Sequence, residues 1–336
     1  AFIEMFHTFY RNNDPLNAKG LYQLQDTRYL IQNPPNLALT QDELDAIYAI
    51  PFERAQHPYY EKQGKVSALE TIRFSIPTHR GCYGECNFCA IAVHEGRTVS
   101  WRSRQSIVKE AETIAGLPDF KGYLLDVSGP TANMYGFECD LKKAHGSCKH
   151  KRCIYPEVCK KLPVDHRTYI EMLQSLRKIK GVKKVFVGSG IRYDLIVGDQ
   201  KSGKEFMREL VQYHVSGQLK VAPEHSESYV LDKMGKPGVA SLLTFKQIFD
   251  RESREAGMKQ FLTYYLIAAH PGCSDSDMTK LKQFVSQKLK ITPEQVQIFT
   301  PTPSTYSSLM YYTEMDPFTG EDLFVVKDQA GKERQK

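Results

Sequence analysis

The sequence predicts an α/β fold built around a parallel sheet that curves into an incomplete (β/α)6 barrel. From about residue 70, short apolar stretches suited to strands alternate with longer stretches whose apolar residues recur at helical spacing. Six such strand–helix units follow one another, and each crossover helix returns the chain so that successive strands lie parallel. A closed eight-stranded barrel would leave few residues for its last two units. A flat, doubly wound sheet is the alternative these repeats allow. Polar or Gly/Pro-rich loops follow each strand, at the sheet end where such folds place their active sites.

Residues 1–69 read as an irregular, partly helical N-terminal segment packing beside the core, with no chemistry of its own. Asn33-Pro34-Pro35-Asn36 is a turn or extended linker, because each Pro drives its predecessor out of the helical region. Thr40 with Glu43 is a capping box, opening a helix that presents Leu44, Ile47 and Tyr48 on one face and stops before Pro51. The core is expected over 70–315. Its strands are Thr71–Ile76, Tyr123–Val127, Val185–Val187, Leu219–Ala222, one within Phe261–Ala269, and Val296–Phe299. The helices between them carry Ile107, Ala111 and Ile114; Ile170, Leu173 and Leu176; Phe206, Leu210 and His214; Leu242, Phe245 and Phe249; and Met278, Leu281 and Val285. Residues 131–164 form a Lys-, Gly- and Cys-rich insertion with little apolar content. Residues 316–336 are a charged tail, a short hairpin or a frayed end.

Charged residues are 25% and hydrophobic ones 41%, an ordinary globular balance. No stretch approaches the roughly 20 apolar residues of a membrane span, so no membrane partner is expected. The start, AFIEMFHTFY, lacks the basic head of a signal peptide. Because it does not begin with Met, the chain reads as trimmed or as an excerpt of a longer protein. The net charge of +6 is spread out apart from Lys142-Lys143 and the run at 149–152. Such runs are ordinarily solvated surface, and nucleic acid is the less favoured partner. Eight cysteines are too few for a disulfide scaffold, and their clustering points to metal in a reducing compartment, hence the cytoplasm.

The first cluster, Cys82, Cys86 and Cys89, has the spacing Cys-x-x-x-Cys-x-x-Cys. Three thiolates so placed can hold three irons of a [4Fe–4S] cube and leave the fourth open. Zinc with His79 or His94 as fourth ligand, or three unrelated thiols, are the alternatives. Cys139, Cys148, Cys153 and Cys159 suit a second metal, either zinc in a four-thiolate cage or an auxiliary [4Fe–4S] cluster. Cys273 stands alone and reads as a free buried thiol.

With the aromatic Phe88 just before its last cysteine, the loop resembles the radical S-adenosylmethionine superfamily. Ser128-Gly129-Pro130-Thr131-Ala132-Asn133-Met134-Tyr135, Ala222-Pro223-Glu224-His225, Ala269-His270-Pro271-Gly272 and Met310-Tyr311-Tyr312-Thr313 resemble its YgiQ-like branch. The likeness runs from about residue 45 to 315. It implies an open six-strand barrel and a [4Fe–4S] cluster on Cys82, Cys86 and Cys89, with S-adenosylmethionine chelating the fourth iron. It also implies an electron donor of flavodoxin or ferredoxin type and a 5′-deoxyadenosyl radical that takes hydrogen from a substrate the sequence does not name. Phe88 is then expected near the adenine. Ser128-Gly129-Pro130 occupies the place of a Gly-Gly-Glu motif, with Pro130 replacing the acid, so contact with the methionyl amine falls to backbone carbonyls. Ser189 and Arg192 are expected at the carboxylate or ribose, Glu224 at a ribose hydroxyl with His225 beside it, and His270 along the site. Each has a plainer reading: core packing for Phe88, a β-turn for 128–130, surface for Arg192, a helix cap for Glu224, a structural histidine for His270. The Met310–Thr313 ending suggests a tRNA-modifying methylthiotransferase-like enzyme as one alternative, although the tail is too short for that group's RNA-binding barrel. A non-catalytic, zinc-bearing RNA-binding module is the other. Oligomeric state is not legible.

Overall fold

A computed structural model of the chain describes residues 1–51, 53–149, 152–293 and 295–336. His150 and Lys151, half of the basic run at 149–152, lie outside the described residues. The strands in chain order are β1 (Leu21–Gln25), β2 (Arg28–Gln32), β3 (Ser75–Pro77), β4 (His79–Arg80), β5 (Ser100–Trp101), β6 (Tyr123–Leu124), β7 (Asp126–Ser128), β8 (Lys184–Val185), β9 (Gln218–Glu224), β10 (Phe261–Ala268) and β11 (Gln295–Ile298).

The parallel strands follow one another in space as in sequence. β3 pairs with β7, β6 with β8, Ile191 bridges to Val221 of β9, and β9, β10 and β11 pair in turn. Among the described residues β3 and β11 do not pair, so the fold is a mixed α/β structure without a closed barrel. The strand expected at Tyr123–Val127 is divided into β6 and β7 at Leu125, whose N–H donates to Phe74 O at 3.0 Å; β6 pairs with β8 and β7 with β3. Along β10, Leu262, Tyr264, Leu266 and Ala268 are buried in alternation, because successive side chains point to opposite faces. Leu262, Tyr264 and Leu266 belong to the same core as helix residues at i, i+4 and i+7, such as Ile107, Ala111 and Ile114 of Arg104–Ala115.

Several expectations are corrected. Thr71 and Ile72 end a helix, Ser67–Ile72, in which Thr71 Oγ1 donates back to Ala68 O, so the strand begins only at Ser75. The Thr40–Glu43 capping box is present, but of the expected face Ile47 is exposed; Leu44 is buried and Tyr48 lies beneath the Arg102 guanidinium. Of the two expectations for the tail, a short antiparallel hairpin is present at Met315 and Asp322, and the end beyond it does not fray. It forms the helix Gln329–Gln335, capped by Asp328, and Gln335 is buried with bonds to Ala269 N and Cys273 O. The insertion owns more apolar packing than its composition suggested: Met134, Phe137, Ile154 and Leu162 close over Tyr83. These residues have no strand or helix period, so pattern reading passes over them.

One buried ionic knot joins three parts of the chain. Arg102 donates to Glu110 at 2.5 Å and to Pro77 O at 2.9 Å, and Arg54 of the N-terminal segment pairs with the same carboxylate. Among the described residues no helix is long and apolar enough to cross a membrane.

Candidate functional site

β3 and β4 deliver the chain into the cysteine loop, and distant segments then fix that loop. Asn87 donates its N–H to Met234 O and its amide to Lys233 O, both at 2.8 Å. Its carbonyl accepts from Ser307 N–H at 2.9 Å, and its Oδ1 accepts from Arg152 at 2.6 Å. Glu85 takes a left-handed backbone, φ 48°, and buries its carboxylate between Lys142 at 3.2 Å and Arg97 at 3.6 Å. Gly84 sits between two thiols. A Cβ there would lie 3.2 Å from Cys82 Sγ and 3.6 Å from Cys86 Sγ, so the glycine keeps the inner face of the loop open.

The loop suits a [4Fe–4S] cube. Gly84 N–H donates to Cys82 Sγ at 3.3 Å, and Arg192 Nη1 stands 3.9 Å from Cys86 Sγ. Burial pushes the Cys89 thiol up to about 12, and the nearby Cys86 and Cys82 push the same way. Cationic and N–H partners are what thiolates on iron require. Among the described residues no three His, Cys, Asp or Glu side chains close on one metal ion, whereas a cube spreads its thiolates over separate irons. His79 does not serve as a zinc ligand here, since Thr78 Oγ1 holds one ring nitrogen at 2.8 Å and Thr131 O the other at 3.0 Å. His94 is exposed.

The expected cofactor-binding residues fall into three groups. Ser128, Gly129, Pro130 and Ser189 line a cavity of about 430 Å³ beside the loop, with Tyr48, Arg80 and Glu95 on other walls. Asp126 organises this group. Ser128 Oγ and Gly188 N–H both donate to its Oδ1 at 2.8 Å, and Ser189 Oγ donates to Oδ2 at 2.5 Å. Gly129 lies against the His79 ring, where a Cβ would come within 2.5 Å.

Arg192 and Glu224 form the second group, beside the thiols. Arg192 is not a surface residue. Asp194 grips its guanidinium through Nε at 2.8 Å and Nη2 at 2.5 Å, and Asn133 brackets its backbone. Burial opposes the Arg192 charge, but Asp194 more than offsets that and raises its pKa. Glu224 does not cap the following helix, which begins at Ser228 after Glu227. It carries φ 68° and meets Lys236 at 3.3 Å. Ala269, at the end of the neighbouring strand, is also left-handed, φ 57°. Strained non-glycine backbone at adjacent strand ends is a common mark of a working site.

Phe88 and His270 form the third group and pack on each other edge to face, 6.4 Å apart. His270 is fully engaged, with Ser307 Oγ at 2.7 Å and Pro271 O at 2.9 Å. His225 Nδ1 accepts from Glu227 N–H, and its Nε2 faces the buried Cys273 thiol at 3.6 Å. Met310 is fully buried against Phe6, Tyr306 and Leu323, so that part of the Met310–Thr313 ending is a packing element.

Sequence reasoning missed Asp126, Asn133, Lys236 and Glu85. Asp126 left one signal, a lone carboxylate inside the apolar run Tyr123–Val127.

Burial holds His79 and His225 down to about 4 and His270 to about 3, against an ordinary value of 6.5. The unfolded chain therefore binds protons that the fold refuses. Stability is fully present above about pH 6.5 and is lost as pH falls toward 4, with up to three protons taken up on unfolding. Urea midpoints measured from pH 7.5 to 4.5 should fall steeply, and a flat profile would contradict these burials.

The radical SAM N-terminal family model matches residues 1–75. A UPF0313 protein of Fusobacterium nucleatum is 57% identical over 335 residues, which is all of this chain and 59% of that protein. A UPF0313 protein of Clostridium botulinum is 44% identical over 336 residues, again all of this chain and 52% of that protein. The chain thus spans between half and three fifths of the length of these curated relatives. Among solved structures, the cobalamin-dependent S-adenosylmethionine radical enzyme OxsB, with aqua-cobalamin and S-adenosylmethionine bound, is similar with a TM-score of 0.49 at 11% identity. That likeness covers 90% of this chain and 37% of OxsB.

Proposed function

We propose that this chain, whose residues 1–75 match the radical SAM N-terminal family model, is the catalytic core of a radical S-adenosylmethionine enzyme, with Cys82, Cys86 and Cys89 as the ligands of one [4Fe–4S] cluster. The observation that carries this reading is the anchored three-thiol loop, placed where parallel strands end and beside a cavity lined by Ser128, Gly129, Pro130 and Ser189. We read the open parallel sheet as an incomplete six-unit barrel around that cavity.

The chemistry the cluster supplies when bound is one-electron cleavage of S-adenosylmethionine, giving a 5′-deoxyadenosyl radical that takes hydrogen from the substrate. The chain's residues position and shield. Arg192, fixed by Asp194, sets a permanent positive charge beside Cys86 and keeps Nη1 for sulfur or for a methionyl carboxylate. Asp126 ties the 128–130 and 188–189 loops together, leaving their backbone groups to face the methionyl amine. Glu224, with Lys236 balancing its charge, offers a carboxylate near Cys89 to a ribose hydroxyl. Phe88 and His270 back the loop from the far side and exclude water there. The electron comes from a flavodoxin- or ferredoxin-type donor. The substrate is of unassigned class, with nucleic acid the less favoured.

Equilibrium binding of S-adenosylmethionine to anaerobically reconstituted protein tests this reading. Asp126→Ala frees Ser128 and Ser189 and should weaken binding about tenfold, the worth of one or two hydrogen bonds, with iron content unchanged. Unaltered affinity would remove 126–130 and 189 from the site.

A further inference from the structure

Away from the cavity, reactive side chains concentrate in the insertion at 131–164. Cys139 and Cys153 are buried in one apolar cluster with Tyr83, Phe137 and Ile154, and Cys159 packs on its edge. Cys159 N–H closes on Cys153 O at 2.7 Å. None of these thiols is in a disulfide. Cys148 is exposed.

The charges around this cluster do not balance. Lys142, with its side chain 1% exposed, pairs with Glu85, also donates to Arg97 O, and lies near the Cys153 thiol. Arg97 pairs with the same Glu85, and Arg152 bonds only the neutral Asn87 amide among the described side chains. Lys142 and Arg97 thus share one carboxylate, and Arg152 has no carboxylate within ion-pair distance among the described residues. Arg97 Nε, Arg152 Nη1 and Ser147 Oγ are buried without a hydrogen-bond partner among the described residues. Buried cations without matching anions cost several kcal/mol, and neutral thiols supply no charge. Thiolates held by a metal do, and soft thiolate sets select zinc or iron–sulfur centres.

We propose that Cys139, Cys148, Cys153 and Cys159 hold one thiophilic metal centre that fixes the insertion against the cysteine loop. Binding converts four thiols to thiolates and releases their protons to solvent. Their negative charge then faces Lys142, Arg97 and Arg152. No three of these thiols close on a single ion among the described residues, so binding draws them together, with the exposed Cys148 turning inward. The centre is joined to the first site by Lys142–Glu85, by Arg152–Asn87 and by Tyr83, so its loss loosens the wall of the loop. The proposal stands independently of the first cluster.

The test uses the full 336-residue chain, purified anaerobically, with Cys82, Cys86 and Cys89 all replaced by Ala so that remaining metal belongs to the insertion. Zinc near one per chain identifies a four-thiolate zinc site, and iron with matching sulfide identifies an auxiliary cluster; either supports the proposal. Cys148 should resist iodoacetamide and become at least about tenfold more reactive after chelation. No zinc and no iron, or Cys148 alkylated equally fast before and after chelation, overturns it. If the triple variant does not fold, mass-spectrometric alkylation of the unmodified chain reads the same four thiols one by one.

Discussion

Replacing Cys82, Cys86 and Cys89 together by Ala removes about four irons and four sulfides per chain, together with the brown colour of the first site. Cys273 is turned to His225 instead, at 3.6 Å. The fold should survive, because the loop is held by the four bonds of Asn87 and by the Glu85 pairs rather than by its thiols. Iron and sulfide analysis of the variant, with circular dichroism to show that it is folded, checks the claim. Unchanged iron and sulfide would sink it.

Glu110→Ala is expected to have the largest effect on stability. The carboxylate is the shared anion for Arg102, whose side chain is 1% exposed, and for Arg54. Removing one partner of a buried pair strands the other charge and costs about 3–5 kcal/mol. The effect should reach the site, since Arg102 also holds Pro77 O at the end of β3, two residues before β4 and the cysteine loop. A chemical denaturation midpoint gives the loss directly. A change under about 1 kcal/mol, the scale of a surface ion pair, would show that this knot is solvated rather than buried.

Much of the scaffold is legible in the chain because its signals are local. The alternation of Leu262, Tyr264, Leu266 and Ala268 announces β10, and Thr40 with Glu43 announces a helix start. The three-cysteine spacing is local too, and for that reason the loop can be found without a structure. What escaped was set by distant partners. Asp126 matters because Ser128, Gly188 and Ser189 converge on it, and nothing in the run Tyr123–Val127 says so. Arg192 reads equally as a site residue or as surface until Asp194 and Cys86 are seen beside it. Gln335 sits in a highly charged tail, yet it docks against Ala269 and Cys273. Thr71 and Ile72 fail for the opposite reason: their alternation suits a strand, but Thr71 closes a helical turn on Ala68.

The central claim is that the loop, loaded and reduced, opens S-adenosylmethionine. The most direct measurement is 5′-deoxyadenosine released by the anaerobically reconstituted, dithionite-reduced chain supplied with S-adenosylmethionine. The account predicts 5′-deoxyadenosine well above the background of the Cys82, Cys86 and Cys89 triple variant. Product no higher than that background, from a chain whose cluster is shown to be fully reduced, would contradict it.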